Sequence, residues 1–157
     1  MNVKIIGQIL EGGSRDKVIK LMINELKKNN LVDDGYENAV IQRENEFPTG
    51  LPTVPIPIAM PHSDRKNVKK SAIVIAKLVN PVIFNRMDKP SEEIAVKIVI
   101  LLAIKDDEEQ LEIIRQLMSI VQDSQLLVKL SELNSAEELA LMLENQMKRA
   151  NISNEVS

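Results

Sequence analysis

Residues Ile94 to Ile104 read Ile-Ala-Val-Lys-Ile-Val-Ile-Leu-Leu-Ala-Ile, an almost unbroken apolar run with one charge at Lys97. The run is roughly half the ~20 residues that a membrane-spanning helix needs. Its wealth of Ile and Val favours a strand, and a strand apolar at successive positions is buried on both faces. Helices must therefore cover both sides of the sheet that holds it. Ser71 to Leu78 (Ser-Ala-Ile-Val-Ile-Ala-Lys-Leu) reads as a second strand, with Pro81 and Asn85 to Pro90 connecting the two.

Working outward, the helices declare themselves by their caps. Ser14 caps a helix to about Lys28 with Val18, Ile19, Met22, Ile23 and Leu26 on one face. Asp34 and Glu37 have capping-box spacing and open a second helix through Tyr36, Val40 and Ile41 toward Arg43. Asp106 and Glu109 repeat that spacing before a helix carrying Leu111, Ile114, Leu117, Met118 and Val121 on one side. A short helix from about Ser124 to Leu130 follows. Ser135 and Glu138 then open a last helix with Leu139, Met142, Leu143 and Met147. Five prolines, Pro48, Pro52, Pro55, Pro57 and Pro61, exclude a helix between the second helix and the strands. That segment is expected to be a loop feeding a short edge strand. The expected fold is α/β, an α/β sandwich of a small mixed sheet flanked by helices. With no internal repeat or Gly/Ser linker, residues 1–150 are expected to form one domain, and 151–157 a frayed polar tail.

Composition narrows the functional classes. In 157 residues, 44% are apolar, but the only aromatics are Tyr36, Phe47 and Phe84. That argues against base-stacking surfaces. The net charge of -3 argues against nucleic acid or an anionic membrane as partner. The absence of cysteine rules out disulfides, thiolate metal sites and thiol nucleophiles, and fits a reducing compartment. The N-terminus lacks a signal-peptide pattern. The expectation is a cytoplasmic protein without direct membrane insertion, cofactor or metal.

One histidine, His62, stands in Ile58-Ala59-Met60-Pro61-His62-Ser63-Asp64. Pro61 fixes its own φ and biases Met60 toward extended geometry, so the backbone entering His62 is restricted. A lone histidine is by default a structural residue with satisfied hydrogen bonds. Zinc usually takes several His or Cys ligands, so a zinc site is improbable. A Ser-His-Asp hydrolase using Ser63 or another serine is formally open, although no nucleophile elbow is present. A third option makes the imidazole the nucleophile, one nitrogen attacking while the other keeps its proton on an acceptor. Phosphoryl transfer suits that arrangement, since it depends on positioning and on cationic stabilisation of the transferring oxygens. Arg43, at the end of the second helix, is the candidate cation, its planar guanidinium matching a phosphate in two contacts. Its ordinary alternative is a solvated helix-end arginine paired with a glutamate. Gly12 and Gly13 form a turn before the first helix and no phosphate loop, so no ATP site is expected.

Taken together, Arg43-Glu44, Phe47-Pro48-Thr49-Gly50-Leu51 and Ile58-Ala59-Met60-Pro61-His62 resemble the enzyme IIA components of the bacterial phosphoenolpyruvate:sugar phosphotransferase system. The resemblance is to the fructose/mannitol class and, with Pro81-Val82-Ile83-Phe84-Asn85-Arg86-Met87, to its galactitol-like branch. It spans about Asp16 to Met147. The resemblance implies an α/β sandwich in which His62 accepts a phosphoryl group from phospho-HPr and Arg43 stabilises it. The group then passes to a IIB component that serves the membrane permease IIC. Many mannitol- and fructose-type members carry a second histidine near the first; here Gln110 occupies that place by rough alignment. The family usually approaches its Pro-His with a glycine, where this chain has Val54-Pro55-Ile56-Pro57. An apolar docking patch is expected around His62, drawn from Phe47, Leu51, Val54, Ile56, Ile58 and Met60. Two other readings are a regulatory module whose phosphorylation state is read by a target protein, and a binding domain with a structural His62.

Overall fold

The structure, a computed structural model, describes residues 3–156, with side chains described through 151. In chain order the elements are β1 (Lys4–Leu10), α1 (Arg15–Lys28), α2 (Tyr36–Glu46), β2 (Gly50–Leu51), β3 (Ile58–Ala59), β4 (Ala72–Asn85), β5 (Glu93–Ala103), α3 (Asp107–Ile120), α4 (Ser124–Glu132) and α5 (Ala136–Val156). A 3₁₀ turn covers Arg65–Asn67. The five strands form one mixed sheet in the order β1-β4-β5-β3-β2. The β1–β4 and β3–β5 pairs are parallel, and the β4–β5 and β2–β3 pairs are antiparallel.

The sheet is covered on both faces, and strand periodicity divides the core in two. Val74, Ala76, Val99 and Leu101 lie on the side of α1 and α2, packed with Ile19, Met22, Ile23 and Leu26. Ile73, Ile75, Ile98, Ile100 and Leu102 lie on the other, against Ile113, Leu117, Leu127, Leu139 and Leu143 of α3, α4 and α5. Each fully buried side chain of this kind contributes on the order of 1.5–3 kcal/mol. β5 is thus the doubly buried strand that its sequence implies.

Several boundaries differ from the sequence-based expectation. β1, unforeseen, is a sheet-edge strand with Gly7 at its centre. A Cβ on Gly7 would lie 1.9 Å from the Ala136 carbonyl oxygen, so the start of α5 crosses the strand there and only glycine fits. The proline-rich segment supplies two short strands. β2 is the edge, while β3 is interior and paired on both sides. The prolines flank β3 and serve the sheet as acceptors, the Pro57 carbonyl taking the Lys97 amide and the Pro61 carbonyl the Leu102 amide, each at 3.1 Å. Pro81 lies inside β4 and not in a connection. It sits where the β4–β5 register shifts between Lys77 and Val82, beyond the end of β1 opposite Leu78, where no partner needs its missing N–H.

Ser14, Asp106 and Ser135 cap as expected, accepting from the amides of Lys17, Glu109 and Glu138. The Asp34–Glu37 box does not form. Asp33 instead accepts the Gly35 amide at 2.9 Å, and α2 starts at Tyr36 with Gly35 as an uncapped N-terminal residue. The core face of α3 is wider than the expected one: Leu117 and Val121 are buried and Ile114 and Met118 pack against the core as expected. Ile113, Gln116, Leu117 and Ile120 point inward and Leu111 is exposed. The apolar positions of that helix span a wide arc, and packing against the sheet and α5 buries most of it. The tail expected to fray from 151 to 157 lies, for Ser157 and for the side chains past 151, outside the described residues.

Candidate functional site

The site forms where the C-terminal end of α2, the β2–β3 loop and the exit of β3 converge on β5. Tyr36, Val40 and Glu44 are the buried residues of α2, one turn apart on a single stripe. That stripe turns Gln42, Arg43 and Asn45 outward. β3 delivers Met60 and Pro61 alongside β5. There His62 bridges Leu102 in parallel register, and the Leu102 amide holds the Pro61 carbonyl. The His62 backbone is therefore an extension of the sheet, held by a neighbouring strand and by the proline ring before it.

The His62 side chain is half-buried, and its Nδ1 lies 2.8 Å from the Met60 carbonyl oxygen. A carbonyl can only accept, so Nδ1 carries the proton and donates it. Nε2 is then the nitrogen with a free lone pair. Burial lowers the His62 pKa from its ordinary value, the bond to Met60 raises it, and the Arg43 charge lowers it further. The imidazole is accordingly neutral and nucleophilic near pH 7.

Arg43 is exposed, and its guanidinium carbon stands 4.8 Å from the centroid of the Phe47 ring. Among the described residues it makes no ion pair. The neighbouring Glu44 does not neutralise it, because Glu44 points into the protein and is 1% exposed. Arg43 is thus an unpaired cation close enough to His62 to depress its pKa, stacked on an aromatic ring that orients it. Glu44 accepts from the Thr49 amide and from the Thr49 hydroxyl, each at 2.7 Å, and burial raises its pKa.

A hydrolase triad is not assembled. His62 Nδ1 faces a carbonyl, Asp64 is exposed and accepts the Lys66 amide, and Ser63 is 8% exposed. The chemistry on offer is a rigidly held, neutral imidazole with Nε2 available and a guanidinium beside it. That combination fits acceptance of a phosphoryl group. Residues 2–146 match the family profile described as phosphoenolpyruvate-dependent sugar phosphotransferase system, EIIA 2. The chain belongs to this family.

This IIA component is of the galactitol-like type. It is 32% identical over 134 residues to the galactitol-specific EIIA component of Escherichia coli strain K12, covering 85% of this chain and 83% of that one. Its fold is shared with the IIA protein in the complex of enzyme IIAMtl and phosphorylated enzyme IIBMtl from Escherichia coli (TM-score 0.71, 22% identity, 87% and 94% of the two chains). It is likewise similar to the nitrogen regulatory protein IIA-Ntr from Neisseria meningitidis (TM-score 0.71, 22% identity, 87% and 92% covered).

Gln110 of this IIA component stands in the first turn of α3. The mouth of the site lies nearby, because Arg65, three residues beyond His62, reaches Asp107 at 3.9 Å. Gln110 makes no hydrogen bond to His62, and its side-chain carbonyl is buried without a partner among the described residues. The expected docking patch is smaller than its sequence outline. Leu51, Ile56, Ile58 and Met60 enter the core, and only Phe47 and Val54, 58% and 69% exposed, face solvent. The Val54–Pro55 peptide in this loop is cis. Glu44 and Thr49 were not singled out from the sequence as interacting residues. The available signal was a charge continuing the Tyr36–Val40 stripe, where the buried face of an amphipathic helix ordinarily carries an apolar side chain. Among the described residues, no helix is long and apolar enough to cross a membrane.

Proposed function

We propose that this IIA component is the cytoplasmic phosphocarrier of a sugar or sugar-alcohol uptake system of the galactitol-like kind, with His62 as its phosphoryl acceptor. The observation that carries the reading is the Met60 carbonyl on Nδ1, which commits Nε2 to the role of nucleophile. The group comes from phospho-HPr. As the P–Nε2 bond forms, the donor's P–N bond breaks and its electron pair returns to the donor. The Nδ1 proton stays on the ring, donated to the Met60 carbonyl, which disperses the positive charge that the doubly substituted ring acquires. Arg43 meets the three spreading oxygens, a stabilisation worth several kcal/mol for a well-placed donor. Nε2 then becomes the leaving group when the phosphoryl passes to a IIB component, which serves the permease IIC. The 32% identity to a galactitol-specific component supports the transport role and the substrate class. The residues 1–150 act as one carrier domain, without metal or cofactor.

The test is to label the protein with phosphoenolpyruvate, enzyme I and HPr, and to compare retention in acid and base. A phosphoramidate is lost in acid and kept in base. His62→Ala folds and takes up no label, since the chain has no second imidazole. Acid-stable label, efficient labelling by ATP alone, or full labelling of His62→Ala would overturn the assignment.

A further inference from the structure

Glu44 is the one acidic side chain among the described residues that is fully withdrawn from water. Burying a carboxylate is costly unless its oxygens are satisfied and its place serves something. Among the described residues Glu44 has no ion-pair partner; both oxygens are spent on a single residue, Thr49. An ionised carboxylate can only accept, so the one hydroxyl proton of Thr49 is committed to Glu44 Oε1. Thr49 Oγ1 is left purely as an acceptor, and it receives the Met60 amide at 3.2 Å. Met60 in turn presents its carbonyl to His62 Nδ1 at 2.8 Å. With Glu44 ionised, each bond in the series therefore has a single direction. It runs from a buried charge on α2, through the β2–β3 loop, to the ring of the histidine.

We infer that Glu44 and Thr49 are positioning residues for His62: the carboxylate orients the Thr49 hydroxyl, and the hydroxyl anchors Met60 so that its carbonyl holds the Nδ1 proton and Nε2 is the nitrogen presented. Met60 needs this anchor. It follows the last paired residue of β3, Ala59, and precedes Pro61, whose carbonyl is the next point held by β5. Between those two supports, Thr49 is the only residue that holds the Met60 amide among the described residues. The role of the series in phosphoryl transfer rests on the phosphocarrier reading; its role in fixing the ring does not.

Because His62 is the only histidine, ¹⁵N-labelled imidazole gives a single pair of nitrogen resonances, and the tautomer can be read in the unphosphorylated protein. The wild type is expected in the Nδ1–H form. Thr49→Val keeps the side-chain shape but frees the Met60 amide. It is expected to admit the Nε2–H tautomer and to slow single-turnover acceptance from phospho-HPr by about tenfold or more through misplacement of the nucleophile. The KM for phospho-HPr should stay unchanged. Thr49→Ser restores both readouts. Glu44→Gln, whose amide can donate to Thr49 Oγ1 in competition with the Met60 amide, is expected to lie between wild type and Thr49→Val. Folding of each variant is checked by its amide spectrum; if Thr49→Val does not fold, Glu44→Gln decides. Folded variants with the wild-type tautomer and rate would overturn the inference. A wild type that takes no phosphate would instead sink the carrier reading, leaving the tautomer comparison to judge the positioning.

Discussion

Tyr36 donates its phenolic hydrogen to the main-chain carbonyl of Leu102, a residue 66 positions further along the chain. Leu102 uses its other main-chain group, the amide, to hold the Pro61 carbonyl next to His62. A buried side chain at the start of α2 thus supports the strand that positions the site, and burial raises the pKa of its hydroxyl so that it remains a donor. Tyr36→Phe keeps the ring in the core and removes only that hydrogen bond. It should lower unfolding free energy by about 1 kcal/mol, or somewhat more because the carbonyl left behind is buried. Urea denaturation, with the slope unchanged, measures it; an unaltered midpoint would show that the bond contributes nothing.

Arg43→Ala should leave the fold intact, since Arg43 is exposed and unpaired among the described residues. Phosphoryl transfer should fall by about 10²–10³-fold in both directions, the range for loss of one pre-positioned donor. The His62 pKa should rise in the same variant, because a nearby positive charge has gone. Rapid-quench kinetics read the first effect and an NMR titration the second. Wild-type rates would reduce Arg43 to a solvated helix end.

Burial and the Arg43 charge hold His62 below its ordinary pKa of 6.5. Between that value and the lower folded one, the unfolded chain binds a proton that the folded chain refuses. Folding stability therefore falls as pH drops from 6.5 through this window, and His62 contributes no pH dependence above it. A titration of the lone imidazole should show its midpoint below pH 6.5, and His62→Gln should lose this part of the stability slope. Titration at or above 6.5 would contradict the arrangement.

Val54 is the most exposed large apolar side chain of the β2–β3 loop, and nothing in the fold requires it to be apolar. Exposed apolar groups beside a site mark transient docking surfaces. Val54→Asp should raise the KM for phospho-HPr severalfold with little change in stability. Amide shifts on adding HPr or a IIB component should appear at Phe47 and Val54 and be absent at the distant β1 edge. A silent loop would place docking elsewhere.

The two-faced core was legible from sequence because strand periodicity and burial leave a direct imprint. Residues 98–103 are apolar at every position, and α1 shows one continuous stripe between a serine cap and its basic end. His62 and Arg43 were legible for a different reason. One is the only imidazole and the other sits at a helix end before a proline-framed loop, so local chemistry and the family motifs singled them out. What tertiary structure alone decided lies in pairings between distant segments. β1 needed the Ala136 backbone over Gly7 to explain its glycine, and the inward turn of Ile113, Gln116 and Ile120 on α3, with Leu111 left outside, depended on what packed against that helix. The direction of Glu44 is the clearest case. A glutamate beside an arginine at a helix end ordinarily makes a solvated pair, and only the approach of Thr49 and Met60 supplies buried donors that hold the carboxylate inside. Local sequence specifies which groups are available. Which of them lose their water depends on contacts between residues far apart in the chain, because desolvation is a property of the assembled neighbourhood.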